Sequence, residues 1–584
     1  MRGTRSRARE RHAEEADRGL PGGSPRMGWG LGLAGAALVL GVLVVVRRIV
    51  DPSLPLARSY QVLQLLLLIA AGVARALGGF RPGLRRAAEK WRLPTAGIAA
   101  AVVLGAVLPY LHTLTIGFLS DDFGLAYAAR QAPAALDALR SNAFVTFRRP
   151  ATIFLWWLGG NMWQGAPLGY HALNLLLHAA NSLLVYALGR RLLGSAYGGL
   201  LAALLFALHP LHVEPVAWAS CSSDLLCTAF CLLSLLLVEA HLAPISTTRG
   251  RLALLGALAA FAMALLSKEA ALALPGFVLL RLALLPPPRA RLRTAVAVGA
   301  FGLVLVTYLM WRVLSMGGLP TYPTTLTFWN TVFPSAPLRQ MGDFLFPVHR
   351  PLFLRALGLW LWCAAMLPMA AAVLWVIAGL TYVPGRRLWL WLGYVFIMAI
   401  PVWTISAATS GDLSGGRFAY LPTIGLAWLF GDVCAGRGTA WRGLAPAGGI
   451  LLGAAVLTIW YVAPWRQAGR LATEVLTAGT GVVERVSASG EPSALYFCDL
   501  PESVDGAPIF RNCYPQALSL AAGSPIAAHT VSARDEPGTI HPDDVGARIL
   551  RPGEYVVSWR PETARMVIVR SGDGPPARHP ESPR

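Results

Sequence analysis

Residues 169–191 read GYHALNLLLHAANSLLVYALGRR, and this stretch decides the fold. Its interior is Leu, Ala and Val over a length that crosses a hydrocarbon layer of ~30 Å, and it closes on the pair Arg190-Arg191. On a helix, Tyr170, His171, Asn174, His178 and Asn181 fall within an arc of about 100°, so the polar groups form one stripe on an otherwise apolar surface. Such a stripe points into a bundle, where it serves interhelical hydrogen bonding or contacts a ligand. The segment therefore reads as one span of a polytopic membrane protein.

The composition agrees. Of 584 residues 55% are hydrophobic and 14% charged, against about 25% charged in soluble domains, which excludes an ordinary soluble enzyme. Apolar windows of spanning length recur, with centres near 37, 69, 104, 180, 203, 233, 259, 278, 304, 369, 397, 427 and 454. The expected fold class is an all-α polytopic membrane protein with about 13 transmembrane helices, followed by a small C-terminal extracytoplasmic α/β or β domain. Seven cysteines over this length are too few for a disulfide scaffold.

Charge orients the bundle. There are 50 basic and 30 acidic residues, net +20, and every basic residue except Lys90 and Lys268 is an arginine. Short basic loops stay on the cytoplasmic side. Arginines of the N-terminal tail and the Arg81–Arg92 loop set that side, and alternation places Arg190-Arg191, Arg249 and Arg251, Arg289 to Arg293, Arg386-Arg387, and Arg437 with Arg442 on it too. Arg47, Arg48 and Arg58 fall on the opposite side. The expected topology is a multi-pass cell-membrane protein with the N-terminus cytoplasmic and the C-terminus extracytoplasmic. The basic residues form an inner collar and no aromatic-interleaved patch, which argues against a nucleic-acid partner. The first apolar run ends on Arg47-Arg48 without a small-residue cleavage site, unlike a cleavable signal.

Polarity of another kind collects on the outer face, in four segments: Phe118 to Pro150, His209 to Asp224, Ser267 to Glu269, and Ser410 to Pro422. Asp121-Asp122 at the mouth of a span reads either as a solvated helix cap or as a functional acidic pair. Arg149-Pro150 precedes Trp156, Trp157 and Trp163, an aromatic cluster suited to an interfacial helix. His209, His212 and Glu214 are interspersed with Pro210 and Pro215, at a spacing that matches no zinc motif. Lys268 departs from the almost exclusive use of arginine, and its compact ammonium suits a phosphate oxygen as well as mere snorkelling. Arg417, just before a span, reads as an interfacial anchor or as a phosphate clamp.

Taken in order, these segments resemble the polyprenol-phosphate-dependent membrane glycosyltransferases of the GT-C fold. They are similar to the membrane part of the tetratricopeptide-repeat O-mannosyltransferases and, more distantly, to protein O-mannosyltransferases. The residues that carry the resemblance are Ser120-Asp121-Asp122-Phe123, Arg149-Pro150, Gly169-Tyr170-His171 with Asn174 and His178, Leu208-His209-Pro210 to Glu214-Pro215-Val216, Ser267-Lys268-Glu269, and Arg417 to Pro422. The resemblance covers roughly 93–465. Two spans precede it and no tetratricopeptide period follows Trp465.

The resemblance implies a hexosyltransferase that moves a sugar, mannose in those families, from a polyprenyl-phosphate donor to a hydroxyl on a protein or glycan acceptor, with inversion. Asp121 or Asp122 would deprotonate or orient the acceptor. Lys268 and Arg417 would hold the phosphate, with Glu214, His209, His212, Arg149, His171 and Asn174 around donor and lipid. A carboxylate base contributes on the order of 10² to 10⁴-fold, and fixed cations stabilise the leaving phosphate. No cofactor is required for a monophosphate leaving group; a diphosphate would bring Mg²⁺ or Mn²⁺ to Asp121 and Asp122. A transporter and a lipid-linked glycan ligase or polymerase are the alternative readings.

The organisation expected is a basic tail over 1–26, two extra spans over 27–92, the catalytic bundle over 93–465, a small domain over 466–570 and a disordered tail over 571–584. Strands are expected at Leu495–Leu500, Ala507–Arg511, Glu554–Arg560 and Met566–Arg570. Cys498 and Cys513 are candidates for a disulfide.

Overall fold

The computed structural model describes residues 94–571, apart from 141–148, 244–246, 288–290, 317–341, 403–412, 440, 489, 491, 533–538 and 547–549. The expected N-terminal tail, the two spans before residue 93, the Arg47, Arg48 and Arg58 linker, the start of the segment from Ser410 and the tail after Ser571 lie outside the described residues.

The chain is mostly helical: α1 Thr95–Val107, α2 Asp121–Gln131, α3 Pro150–Trp163, α4 Pro167–Leu193, α5 Ala196–Leu208, α6 Val213–Ala217, α7 Ser222–Leu242, α8 Thr247–Ser267, α9 Leu274–Leu284, α10 Arg291–Met316, α11 Arg350–Gly379, α12 Gly385–Ala399, α13 Ile424–Arg437, α14 Trp441–Ser487 and α15 Tyr514–Ala522. The expected centres from 104 to 454 all fall inside these helices. Among the described residues, six helices are long and apolar enough to cross a membrane, or seven if the pair α5–α6, bent by 52°, counts as one span. The other apolar helices fall short: α9 follows a turn over Glu269–Ala273, α12 gives way to a turn at Ile400, and α11 is kinked at Gly358, so that its apolar end is the shorter stretch Met366–Tyr382. Helix α13 shows why composition overcounts spans: every residue from Ile424 to Gly436 is buried, so its apolar character answers to protein on all sides.

The two ends of the bundle differ in chemistry. At one, arginines tie neighbouring helix ends together: Arg191 donates to the Leu236 carbonyl (3.2 Å), Arg293 to Ala243 (3.0 Å), Arg387 to Leu193 (2.7 Å) and Arg437 to Trp375 (2.6 Å). Helix C-terminal carbonyls are orphan acceptors, and cations there are favourable. Among the described residues, the loops bearing Arg191, Arg293, Arg387 and Arg437 thus share one end, and the acidic segments gather at the other.

Helix α14 continues past the expected boundary near 465 to Ser487 and carries a five-stranded sheet. The strands are β1 Ala494–Cys498, β4 Ala528–Val531, β5 Thr539–Ile540, β6 Glu554–Arg560 and β7 Arg565–Ser571, in the order β5-β4-β1-β6-β7, with β2 Ser503–Val504 and β3 Ala507–Pro508 paired separately. Central β1 runs parallel to β4 and β6, while β7 is antiparallel to β6. Buried Leu495 and Phe497 face α15, whose Tyr514 ring meets Phe497 at 5.0 Å. Cys498 and Cys513 are both thiols, not the disulfide considered from the sequence: one closes β1, and the other caps α15 in a left-handed conformation.

Candidate active site

The acidic pair opens α2. Its cap, Ser120, has φ +46°, a strained conformation for a residue with a side chain. Asp122 is fully buried, and both its oxygens are taken: Oδ2 accepts from the Leu119 amide (3.0 Å) and Oδ1 from the Ser220 amide (2.7 Å). Burial pushes its carboxyl well above the usual range, and those two amides oppose the shift. Asp122 is thereby an anchor joining the start of α2 to the 218–224 segment. Asp121 is half-buried and accepts through Oδ1 from Asn512 Nδ2 at 2.6 Å.

The 218–224 segment carries the site onward. Trp218 donates through its indole to the Leu119 carbonyl (3.1 Å), and the Asn174 side chain donates to the Trp218 carbonyl (2.9 Å). The Arg417 guanidinium lies 4.6 Å from the centre of the Trp218 ring and 4.7 Å from Phe418. It pairs with Glu214 at 2.7 Å, and its backbone N–H reaches the other Glu214 oxygen at 3.3 Å. Burial works against its charge, but the surrounding groups, Glu214 first and then Cys221, Asp121 and Asp224, together outweigh this and push the guanidinium pKa further up. One side-chain N–H serves Glu214, and the fork of five donors has others to offer an anion. Lys268 sits more deeply, held by Asp224 at 2.6 and 2.7 Å with Phe418 5.4 Å away. Arg417 and Lys268 therefore flank one phenylalanine, each fixed by its own carboxylate.

Arg149 caps α3 and meets Glu269 at 2.9 Å, and Arg312 of α10 reaches the same carboxylate at 3.2 Å. Burial raises the Glu269 carboxyl, but Arg149, a backbone hydrogen bond and Arg312 together more than offset this, leaving it below its ordinary value.

The histidines are engaged elsewhere. Where α5 breaks, the carbonyls of Phe206, Ala207 and Leu208 each find a side-chain donor, and that of His209, which accepts from the His212 amide (3.0 Å), gains a second one. His212 Nδ1 meets Phe206 O (2.8 Å), His178 Nε2 meets Ala207 O (3.1 Å), Thr458 donates to Leu208 O (2.7 Å) and Tyr110 to His209 O (3.2 Å). The carbonyl acceptors fix the protonated nitrogen on each histidine. His209 stacks on Phe344 at 4.1 Å and bonds its carbonyl at 2.9 Å. His209 and His212, expected around the phosphate, instead hold the broken span together, as bilayer physics demands of freed backbone groups. His171 is fully buried beside the Ile116 and Gly117 carbonyls, without hydrogen-bond geometry to either.

Of the expected residues, then, the structure gathers Asp121, Asp122, Glu214, Lys268 and Arg417 at one end of the bundle, with Asn174 supporting from α4. Arg149 stands beside them through Glu269. Sequence reasoning missed Asn512, Arg511 and Arg312, and gave Asp224 no role. An arginine inside an apolar span, as Arg312 is, was a usable signal; Asn512 is 391 residues from Asp121 and carried none. Both Asp122 oxygens accept from amides, which leaves Asp121 the less committed member of the acidic pair, and among the described residues no cluster of three or more His, Cys, Asp or Glu side chains has ligating geometry.

Comparison with known proteins locates the likeness. Residues 150–311 match the family described as dolichyl-phosphate-mannose-protein mannosyltransferase. The chain is 35% identical over 162 residues to protein O-mannosyl-transferase Tmtc1 of Drosophila melanogaster, covering 25% of this chain and 18% of that protein. It is 38% identical over 112 residues to protein O-mannosyl-transferase TMTC4 of Homo sapiens, covering 17% and 15%. The chain thus spans under a fifth of the length of either relative. Among solved structures it is similar to ArnT from Cupriavidus metallidurans bound to undecaprenyl phosphate, at 16% identity and TM-score 0.42 over 81% of this chain and 94% of that one. It is also similar to the Archaeoglobus fulgidus oligosaccharyltransferase, at 13% identity and TM-score 0.44 over 74% and 62%. The resemblance read from the motifs is thereby found in the mannosyltransferase sequences, over α3 to α10.

Proposed function

We propose that this chain is an integral-membrane glycosyltransferase that moves a sugar, mannose by analogy with its relatives, from a polyprenyl-phosphate carrier to a hydroxyl of a protein or glycan acceptor. The reading rests on one juxtaposition: a half-exposed carboxylate, Asp121, shares one end of an apolar bundle with Arg417 and Lys268, two cations held in place by Glu214 and Asp224. The acceptor hydroxyl gives its proton to Asp121 as its oxygen bonds the anomeric carbon. The carbon–oxygen bond to phosphate breaks on the opposite side, and the phosphate leaves with the electron pair. A single displacement of this kind inverts the anomeric centre. Arg417 is the better placed cation for the departing charge, since Lys268 is almost wholly buried. No step runs through a metal. The acidic end is extracytoplasmic in this reading and the arginine end cytoplasmic, with the carrier's chain entering from the bilayer.

The test is transfer by the purified full chain, in lipid nanodiscs, from a polyprenyl-phosphate mannose donor to peptide and glycan acceptors, with and without EDTA. Asp121→Asn is expected to lower kcat by about 10² to 10⁴-fold, with folding intact and EDTA without effect. Unimpaired transfer by Asp121→Asn would sink the assignment of the base, and flux of a solute without a new glycosidic bond would favour a transporter.

A further inference from the structure

The loop 509–512, between the sheet and α15, reaches down onto the acidic end. The Ile509 carbonyl accepts from the Ser120 amide at 2.8 Å. Phe510 stacks on Phe123 at 5.7 Å with the rings 23° apart, and the Arg511 guanidinium lies 6.0 Å from the Trp218 ring. Asn512 then bridges two consecutive residues: the Ser120 hydroxyl donates to its Oδ1, and its Nδ2 donates to Asp121 Oδ1 at 2.6 Å. A carboxylate can only accept, so the amide has one workable orientation, with N–H toward Asp121 and C=O toward Ser120.

We propose that Asn512 is a positioning residue for Asp121, so that the C-terminal sheet unit completes the transfer site instead of merely covering it. The inference rests on the reading of Asp121 as the base. Asn512 commits Oδ1, and Asp121 makes no other hydrogen bond among the described residues, so Oδ2 is the oxygen left for an acceptor hydroxyl. The Ser120 hydroxyl and amide, both tied to the 509–512 loop, hold the strained backbone at φ +46° that aims this carboxylate. A base must sit within hydrogen-bond reach of the proton it takes, and small displacements of an unfixed carboxylate forfeit much of its effect.

The experiment compares the full chain with Asn512→Leu and with the isosteric Asn512→Asp, which sets a second carboxylate against Asp121. In both, kcat is expected to fall about 10- to 100-fold, as for loss of a charge-assisted hydrogen bond. The KM values for donor and acceptor should stay within about twofold, and the acidic limb of the kcat/KM profile should move to higher pH. An unchanged kcat and profile in either variant overturns the proposal, as does a loss confined to KM, which would mark acceptor docking. If Asn512→Leu fails to fold, Asn512→Asp carries the same test. Should the unmodified chain transfer no sugar at all, the proposed function fails by itself. Carbodiimide labelling of Asp121, followed by mass spectrometry across pH, then decides the positioning role: curves that differ between the unmodified chain and its variants support it, and identical curves refute it.

Discussion

Glu269 shows how single residues at this site are held. Its carboxylate lies between Arg149 and Arg312, and Arg312 is 1% exposed. Removing one partner of a buried ion pair leaves the other charge uncompensated, at a cost of about 3–5 kcal/mol, so Glu269→Gln is expected to destabilise on that scale in a thermal or denaturant melt. The pH dependence follows from the lowered carboxyl. A depressed folded-state value contributes stability that is present above the unfolded value and is lost as pH falls through the folded one. The unmodified chain should therefore lose this contribution on acidification below about pH 4.5, and Glu269→Gln should melt with a flatter acid limb. At this scale the sequence made the residue types legible and their partners illegible. Asp121-Asp122 stood out as a pair, but only the fold divides them into an anchor with two amide donors and a side chain held by one asparagine. Lys268 was conspicuous because lysine is rare here, yet Asp224, its partner 44 residues away, drew no notice as such.

Among elements, the apolar windows located every described helix of the bundle that was expected, because spanning and burial both demand Leu, Ala and Val. They could not separate a helix facing lipid from one enclosed by protein, and α13 is the enclosed kind. It crosses α5 where Gly431 meets Gly198: a Cβ on Gly431 would stand 2.2 Å from the Gly198 carbonyl oxygen, and one on Gly198 would stand 2.7 Å from that of Gly431. Backbone atoms cannot swing aside, so Gly431→Ala must push the helices apart. Overpacking of this kind costs about 1–3 kcal/mol or more, and the expected result is a lower melting temperature and reduced folded yield in detergent, with Gly453→Ala, which meets nothing within 4 Å, as the neutral control. The polar stripe on α4 was equally legible as a stripe. Its purpose was not, since nothing local reveals that α5 stops at Leu208 and leaves carbonyls for His178 to serve.

For the molecule as a whole, the described arginine-bearing loops and the outer polar segments remain at opposite ends on folding, and the reason is physical. Loop charge decides which helix ends face the same way, and that information is local to each loop. The junction between bundle and sheet was not legible, because it joins residues of opposite chain ends through a few side chains. That junction depends on α14, 47 residues long and hence about 70 Å end to end, more than twice the ~30 Å apolar layer. Its Gly469 backbone rests against Gly117, near the acidic pair, while its Val475 and Gly479 abut Tyr514 of α15. The helix works as a ruler with an angular scale. One residue inserted between Gly469 and Val475 turns everything above it by about 100° and lifts it by about 1.5 Å, which would swing Asn512 away from Asp121 while the bundle below keeps its packing. Seven inserted residues nearly restore the angle but raise the sheet by about 10 Å. Exchange of the C-terminal unit for another should succeed in transfer assays only when the count of residues along that mast is kept, whatever sheet is placed on top.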